Sequence, residues 1–439
     1  MALGYNTPVR LLALPLLLAL VALGGCDSGG GGEPRPAPRP SPAITRAELT
    51  DHLAALQRIA DRSGGNRAAG TAGYDASADY VTARLRDAGW EVRLQRVPFG
   101  YFRLNRAAMS VDGRELRSAK DFQVLSYSGS GRASGRLRSA GTGCSDEDFA
   151  GVAEGEIALV SRGPCFFRDK ARNAERAGAS ALVVSEPARA RRGVPSGTLA
   201  GPGIGIPVVL VSLTALGDTA EGIAVSITVD AVSRKELTDN VIAETPGGSG
   251  DTIVMAGAHL DSVEGGPGIN DNGSGVATLV EAAEAIGPKP PGAKMRLAFW
   301  AAEELGLLGS RRYATSLEAS ERRRIGAYLN FDMVGSPNPV ADVYANGDAR
   351  LGRVLRRAAG GHVRALAAGE ASDHAPFRAA GIPVNGLYTG STERGPDGRP
   401  RDACYHLACD TLDNVDRRML LRMARATARA LRRLSARYR

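Results

Sequence analysis

The sequence predicts an α/β protein in which helices flank a mixed central sheet, with a second, small β-rich domain inserted into the first. Two observations lead to this fold class. From about residue 239 onward, short apolar strands alternate with loops and helical segments, as in a sheet covered by helices on both faces. Between about residues 106 and 234, glycines and short β-type runs are frequent instead. The chain of 439 residues is long enough for two hydrophobic cores.

Residues 1–26 have the pattern of a targeting segment. Arg10 precedes an apolar run that ends in Leu-Gly-Gly-Cys at Cys26. The run is too short for a transmembrane helix, which needs about 20 apolar residues. It resembles a bacterial lipoprotein signal, and this resemblance implies that Cys26 becomes the lipidated first residue. We therefore expect an exported protein of the bacterial cell envelope, lipid-anchored on a periplasmic or extracellular face; an ordinary cleaved signal is the alternative.

The ordered part of the chain is expected to begin after a flexible Gly/Pro linker at residues 27–43. Thr45 and Glu48 then form the pattern of a capping box, which opens an amphipathic helix that extends to about Ala60. The pattern next predicts a helix from about Ala76 to Ala88 and a strand from Trp90 to Val97.

The remaining periodicity divides the chain into two domains. Residues 44–105 and 235–439 form the α/β domain, and residues 106–234 form the insertion. The α/β domain is expected to contain strands at 252–258, 296–301, 327–331 and 383–387, with helices at 275–286 and from about 416 to the C-terminus. In the insertion we expect strands at 157–160, 181–184, 207–210 and 224–229, and a helix at 169–177.

The net charge of +8 does not indicate a nucleic-acid partner, because no block resembles a basic arm and aromatic residues make up only 5% of the chain. The charge reflects compositional bias or attraction to an anionic membrane surface. The last predicted helix interleaves leucines with many arginines. Its leucines predict packing with a solvated arginine face, and contact with anionic lipid is the alternative.

Cysteine usage agrees with export. The chain has five cysteines, and setting Cys26 aside leaves four, which allow three pairings. Proximity in sequence favours disulfides between Cys144 and Cys165 and between Cys404 and Cys409, as in an oxidising compartment. Four reduced thiols are the alternative.

Five short stretches carry histidines and carboxylates at the ends of predicted strands. They are Gly257 to Ser262, Gly268 to Gly275, Phe299 to Gly306, Tyr328 to Gly335 and Cys404 to Asp410. Ligand sites in open α/β sheets lie outside the carboxyl ends of the strands. Buried carboxylates are usually paired or bound to a metal, and a mixed set of imidazoles and carboxylates suits zinc. Any one stretch alone could be a polar strand end that caps a loop.

Together these stretches resemble the di-zinc aminopeptidase family, relatives of glutamate carboxypeptidases and the transferrin receptor. The likeness covers about residues 53–97 and the chain from about residue 240, and it is strongest to secreted bacterial leucine-type aminopeptidases. It implies a zinc-exopeptidase (phosphorylase/hydrolase-like) fold and two zinc ions. It also implies a cis peptide bond after Asp271.

The same resemblance implies a role for each site residue. His259 with Asp332 would bind one zinc and Glu304 with His406 the other. Asp271 would bridge the two ions. The remaining implied roles are those of Glu303 as general base, Tyr405 as hydrogen-bond donor to the oxyanion, and Asp261 as the residue that orients His259.

The insertion resembles a protease-associated domain. The resemblance rests on the segment from Gly155 to Cys165, followed by Lys170, Asn173-Ala174 and Ala177-Gly178-Ala179. It implies either a cover that shapes access to the site or a passive spacer.

The predicted activity is removal of single N-terminal residues, apolar ones, from peptides with a free N-terminus. The stretch Ser372 to Phe377 also matches the family, but Ala371 stands where an arginine that reads the substrate terminus is expected. A carboxypeptidase, a dipeptidase or a glutaminyl cyclase is the alternative within the superfamily. A peptidase-like binding protein without catalysis is the alternative from another class, and the full ligand set disfavours it.

Overall fold

The computed structural model describes residues 43–186, 193–217 and 221–438. The expected signal segment 1–26, with Cys26, lies outside the described residues, as does nearly all of the expected linker 27–43. Among the residues described, no helix combines the length and the apolar character that a membrane span requires.

Helices form the outer layers of the fold. They are α1 (Arg46–Arg62), α2 (Ala72–Asp87), α3 (Phe167–Arg176), α4 (Leu213–Leu216), α5 (Ser274–Ile286), α6 (Leu308–Ser316), α7 (Ala319–Arg324), α8 (Ala349–Ala359), α9 (His374–Ala379) and α10 (Arg417–Arg437). The capping box of Thr45 and Glu48 is confirmed at the start of α1. The second helix begins four residues earlier than predicted, because the Thr71 side chain accepts from the N–H of Tyr74 and caps it.

The strands form one continuous mixed sheet. They are β1 (Glu91–Val111), β2 (Arg114–Glu115), β3 (Phe122–Val124), β4 (Gly131–Ser139), β5 (Ile157–Ser161), β6 (Ala181–Glu186), β7 (Val208–Ser212), β8 (Ala224–Glu244), β9 (Ser249–His259), β10 (Ala293–Trp300), β11 (Ile325–Phe331), β12 (Asp342–Tyr344), β13 (Arg364–Leu366) and β14 (Val384–Tyr388). The strand order is β13-β12-β14-β11-β9-β10-β8-β4-β5-β6-β7-β3, and β1 pairs with β8 and β2.

The predicted α/β fold class with helices on both faces is confirmed. Strands β10, β9, β11 and β14 are parallel neighbours, whereas β8 and β12 run antiparallel to this group. Alternate residues of β9 enter different cores: Val254 packs with α1, α5 and α10 on one face, and Met255 packs with α6 and α9 on the other. The carboxyl ends of four parallel strands therefore meet at one edge.

A two-stranded ribbon carries the chain into and out of the insertion. Strands β1 and β8 pair antiparallel from Glu91 opposite Glu244 to Val111 opposite Val225. One end of β8 pairs with β10 of the α/β domain and the other end with β4 of the insertion. The expected boundaries at 105/106 and 234/235 fall within these strands. The predicted end of the first strand at Val97 is wrong. Pro98 is tolerated because β1 pairs on one side only along this stretch.

The insertion has cores of its own on both faces of its strands. Ile157 of β5 packs into one core with residues of β1, β7 and β8, and its neighbour Ala158 packs into the other with residues of α3. The predicted disulfide between Cys144 and Cys165 is confirmed. Lys170 lies beside it, fully buried, and donates to the carbonyl of Gly163 at 2.6 Å. The loop that contains Gly163 and Cys165 is therefore held to the rest of the insertion by a covalent bond and by a hydrogen bond from a charged donor.

The arginines of α10 bind neighbouring backbone. Arg422 donates to the carbonyl of Ala359 at 3.2 Å, and Arg429 donates to that of Ala358 at 2.7 Å. Both carbonyls belong to the last turn of α8, where a cation complements the helix dipole. Arg422 and Arg429 thus connect α10 to the end of α8. Leu420 of α10 is buried, as the periodicity of this helix predicts.

Candidate functional site

The loops at the carboxyl edge of the parallel strands bring the predicted site residues together. His259 ends β9, Glu303 and Glu304 follow β10, and Asp332 follows β11. Asp271 lies in the turn that precedes α5, and the peptide bond that follows it is cis, as expected from the resemblance. Tyr405 and His406 come from the loop before α10.

Asp271 lies between the two histidines. Its Oδ1 is 3.1 Å from Nε2 of His259, and its Oδ2 is 3.3 Å from Nε2 of His406. On one side, Asp332 Oδ1 is 3.4 Å from His259 Nε2; on the other, Glu304 Oε2 is 3.1 Å from His406 Nε2. Each histidine thus faces one oxygen of the shared carboxylate and one carboxylate of its own.

Unpartnered oxygens show that this arrangement fits a cation. Oε1 of Glu304 and Oδ1 of Asp332 are buried without a hydrogen-bond partner. The ligand atoms of His259, Asp271 and Glu304 lie within 4.8 Å of one another. His259 Nδ1 donates to the backbone carbonyl of Asp261 at 3.0 Å, which leaves the Nε2 lone pair for a metal.

The electrostatics of the cluster favour a bound cation. Burial raises the pKa of Glu304 to about 7 and that of Glu303 well above its usual range. Burial alone would also raise the pKa of Asp271, but hydrogen bonds to His259 and His406 lower it to about 2. A cation among these carboxylates would favour their charged forms.

The carboxylate of Asp261 contacts the glutamate loop and only approaches the histidine ring. It accepts from the N–H groups of Glu303 and Glu304 at 3.1 and 3.2 Å, whereas its Oδ1 is 3.8 Å from His259 Nδ1. The backbone carbonyl of Asp261 therefore orients the imidazole, and its side chain positions the two adjacent glutamates. The resemblance implied that Asp261 orients His259, and the contact from Nδ1 is made to the backbone carbonyl of Asp261.

Arg67 is a supporting residue that sequence reasoning missed. Its fully buried guanidinium donates to the carbonyls of Leu260, Pro267 and Gly268, with distances of 2.9 Å to Pro267 and 2.7 Å to Gly268. These carbonyls belong to the loops that carry His259 and Asp271. Burial lowers the pKa of Arg67 to about 10, so the group remains charged at neutral pH. A hydrophilic residue just before a helix carries no sequence signal for this role.

Asp410 and Ser372 also support the site from within the stretches that the sequence had marked. The two oxygens of Asp410 accept from the N–H groups of Asn270 and Asp271, both at 2.9 Å. Ser372 donates its hydroxyl to Asp332 Oδ2 at 2.6 Å. Each contact holds a carboxylate-bearing loop in place. The motifs included Asp410 and Ser372 but did not indicate which groups these two residues would bind.

The predicted disulfide between Cys404 and Cys409 is confirmed and encloses Tyr405 and His406. The rings of these two residues stack with centroids 3.8 Å apart. Hydrogen bonds to Asp271 and Glu304 raise the pKa of His406 to about 10. Tyr405 lies over the cluster, and its pKa is raised, first by burial and then by the surrounding carboxylates.

A cavity of about 640 Å³ opens directly beside this cluster, and we call it the catalytic cavity. It is lined by both histidines of the cluster and by four of its carboxylates, those of Asp271, Glu303, Glu304 and Asp332. Apolar residues also line it, among them Met333, Leu366, Ala367 and Ala371. Ala371, where the family resemblance leads one to expect an arginine, therefore lines the cavity with a methyl group.

Comparisons with known proteins match both parts of the chain. Residues 240–431 match peptidase family M28, and residues 133–217 match the PA domain, the protease-associated domain. An aminopeptidase of Pseudomonas aeruginosa strain UCBPP-PA14 is 35% identical, over 88% of this chain and 82% of its own length. The probable lipoprotein aminopeptidase LpqL of Mycobacterium tuberculosis is 37% identical, over 86% of this chain and 82% of its own.

A solved structure of an aminopeptidase agrees with these sequence matches. BSAP, a zinc aminopeptidase from Bacillus subtilis, superposes with a TM-score of 0.64 at 28% identity, covering 90% of this chain and 96% of that one. Fold and site together define an α/β metallohydrolase. The chain belongs to peptidase family M28 and is a metallo-aminopeptidase that carries a PA domain. The zinc aminopeptidase among its structural neighbours supports zinc as the metal.

Proposed function

We propose that the protein uses two zinc ions as cofactors to remove single apolar residues from the N-terminus of peptides. One observation carries this proposal: the two oxygens of Asp271 face two different histidines, at 3.1 and 3.3 Å. A carboxylate in that position would be available to two metal ions, one beside each histidine. His259 and Asp332 would hold one ion, and Glu304 and His406 would hold the other, since each pair lies within 3.4 Å.

Two zinc ions held by these residues would make a water nucleophilic near neutral pH and would polarise the peptide carbonyl. Glu303 is adjacent to a ligand but is not needed as one, so its carboxylate is available to move protons. It takes the proton of the attacking water and then delivers it to the leaving amine. Tyr405 donates its hydroxyl hydrogen to the oxyanion that develops on the carbonyl oxygen. Asp261 positions the backbone of Glu303 throughout.

The substrate preference follows from the walls of the catalytic cavity. Met333, Leu366, Ala367 and Ala368 offer apolar surface for the first side chain. The carboxylates at the inner end attract the charged amino terminus. Arg311 also lines the cavity, and it is the residue that would bind a substrate carboxylate in a carboxypeptidase or dipeptidase.

We further propose where the protein is located and which parts of the chain form its two domains. A lipoprotein aminopeptidase among the relatives supports attachment of this chain to the cell envelope through a lipid on Cys26. Residues 44–105 and 235–439 would form the catalytic domain and residues 106–234 the PA insertion.

Activity should depend on both a free amine and zinc. We expect hydrolysis of leucine p-nitroanilide and none of its N-acetylated counterpart, because acetylation removes the charge that the acidic cavity attracts. Chelation should abolish the activity, and two equivalents of zinc per chain should restore it. Full restoration by one equivalent would contradict the two-ion site. Hydrolysis of an N-acetylated peptide with a free carboxylate would instead establish the carboxypeptidase alternative.

The disulfide between Cys404 and Cys409 should matter for catalysis rather than for global stability. Such a short loop stabilises little through chain entropy. Replacing both cysteines with serine should lower activity or zinc affinity about 10–100-fold, as loss of other supporting contacts at metal sites does. The matched control replaces Cys144 and Cys165 with serine in the insertion. Equal zinc content and equal kcat/KM in both double variants would contradict the orienting role.

A further inference from the structure

A second cavity adjoins the catalytic cavity, and both polar residues, among them Asp261 and Glu264, and apolar residues line it. It has a volume of about 210 Å³, and Glu304 lines both cavities. Its walls come from two parts of the molecule. Tyr101 and Phe102 of β1 and Tyr127 of the insertion form one side, and Val263 and Leu305 from the loops after β9 and β10 form the other. The cavity thus lies where the PA insertion meets the metal-binding loops.

We propose that this second cavity binds the side chain of the residue that follows the scissile bond and prefers a large apolar or aromatic one. This inference rests on the aminopeptidase function proposed above. A peptide whose first residue occupies the catalytic cavity must pass the metal-binding carboxylates. Because Glu304 borders both spaces, the adjoining cavity is where the second residue arrives. Its volume has room for one side chain.

The aromatic walls are held in position. The rings of Phe102 and Tyr127 are 5.8 Å apart and tilted by 55°. Tyr127 donates its hydroxyl to the carbonyl of Gly100 at 3.1 Å, and the guanidinium of Arg234 lies 5.3 Å from the Tyr101 ring centre. Tilted aromatic rings at such distances pack well against another aromatic ring. The walls therefore select for side chains of this kind.

Leu305 completes the site from the catalytic side. It directly follows Glu304, and 45% of its surface is exposed although it is a large apolar residue. A substrate side chain between Leu305 and the aromatic wall would cover this surface and remove apolar area from water. The insertion would then act in substrate recognition, rather than as a passive spacer.

Two substrates that differ only in the second side chain test the inference. We expect the wild-type enzyme to cleave leucyl-phenylalanine amide with a kcat/KM about tenfold above that for leucyl-glycine amide. Phe102→Ala should bring this ratio close to one. Tyr127→Ala removes the aromatic ring that the insertion supplies and should lower the ratio as well. Leu94→Ala, which removes a side chain 54% exposed on the same strand, is the matched control.

Phe102 also packs against a core of the insertion, so thermal unfolding of each variant must be measured. If Phe102→Ala is unstable, Leu305→Ala decides, since its exposed side chain contributes little to folding; it should lower the ratio about threefold. A wild-type ratio near one overturns the inference, and so does an unchanged ratio in folded Phe102→Ala and Leu305→Ala. In either case, cleavage of leucyl-glycine amide would still support the aminopeptidase function. Cleavage of neither amide would overturn the proposed function itself.

Discussion

Glu303→Gln is expected to lower kcat about 10²–10⁴-fold while the zinc content stays unchanged. Glutamine has the shape of glutamate but cannot accept the proton of the attacking water. The Glu303 side chain is almost fully buried beside the cluster, and burial raises its pKa well above the usual range. Steady-state kinetics on leucine p-nitroanilide, with zinc measured on the same samples, provide the check.

The adjacent residue supplies the control. Glu304→Gln should reduce zinc binding as well as activity, because Glu304 Oε2 lies 3.1 Å from His406 and its other oxygen is buried without a partner. A substitution that costs activity alone therefore identifies the proton carrier, and one that costs metal identifies a ligand. If Glu303→Gln lost zinc and Glu304→Gln kept it, the two assignments would have to be exchanged.

Arg67→Met should cause a large loss of stability, about 3 kcal/mol or more in the free energy of unfolding, since each buried carbonyl left without a donor costs about 1–3 kcal/mol. Methionine fills a similar volume but cannot donate to the carbonyls of Leu260, Pro267 and Gly268, which then remain buried without a charged partner. Because these carbonyls belong to the loops of His259 and Asp271, zinc affinity should fall too. Denaturant unfolding with zinc present and zinc titration of the chelated protein measure the two effects.

Arg84→Met is the matched comparison for this substitution. Arg84 pairs with Glu284 at 2.6 Å, but 40% of its side chain is exposed, and such pairs contribute about 0–1 kcal/mol. Arg67→Met should therefore unfold at a clearly lower denaturant concentration than Arg84→Met. Equal midpoints would show that the buried guanidinium does not stabilise the metal-binding loops.

Sequence reasoning succeeded where the signal is local. The apolar runs that became β9, β10, β11 and β14 are short and bounded, so their positions were predicted to within a few residues. Likewise, the capping box at Thr45 and Glu48 needs contacts only within one helical turn. The close spacing of Cys404 and Cys409 was sufficient to predict their disulfide, which the structure contains.

Prediction was less accurate where partners are distant in sequence. The extension of β1 to Val111 depends on pairing with β8, whose residues lie more than a hundred positions later. Arg67 acts on carbonyls about two hundred positions away, so its own neighbours give no indication of its role. Asp261 contacts the His259 ring through its backbone carbonyl, and its carboxylate accepts from the N–H groups of Glu303 and Glu304, about forty positions later, which the sequence did not indicate.

The sequence by itself determined the α/β class, the β-rich insertion and the kinds of ligand available to a metal, because hydropathy and side-chain chemistry are properties of each residue. Only the tertiary structure decided that Asp271 lies between His259 and His406, and that Tyr127 of the insertion lies beside the loops that follow β9 and β10. Both are distances between segments far apart in the chain. Such distances are set by how strands pair and how helices pack on the sheet.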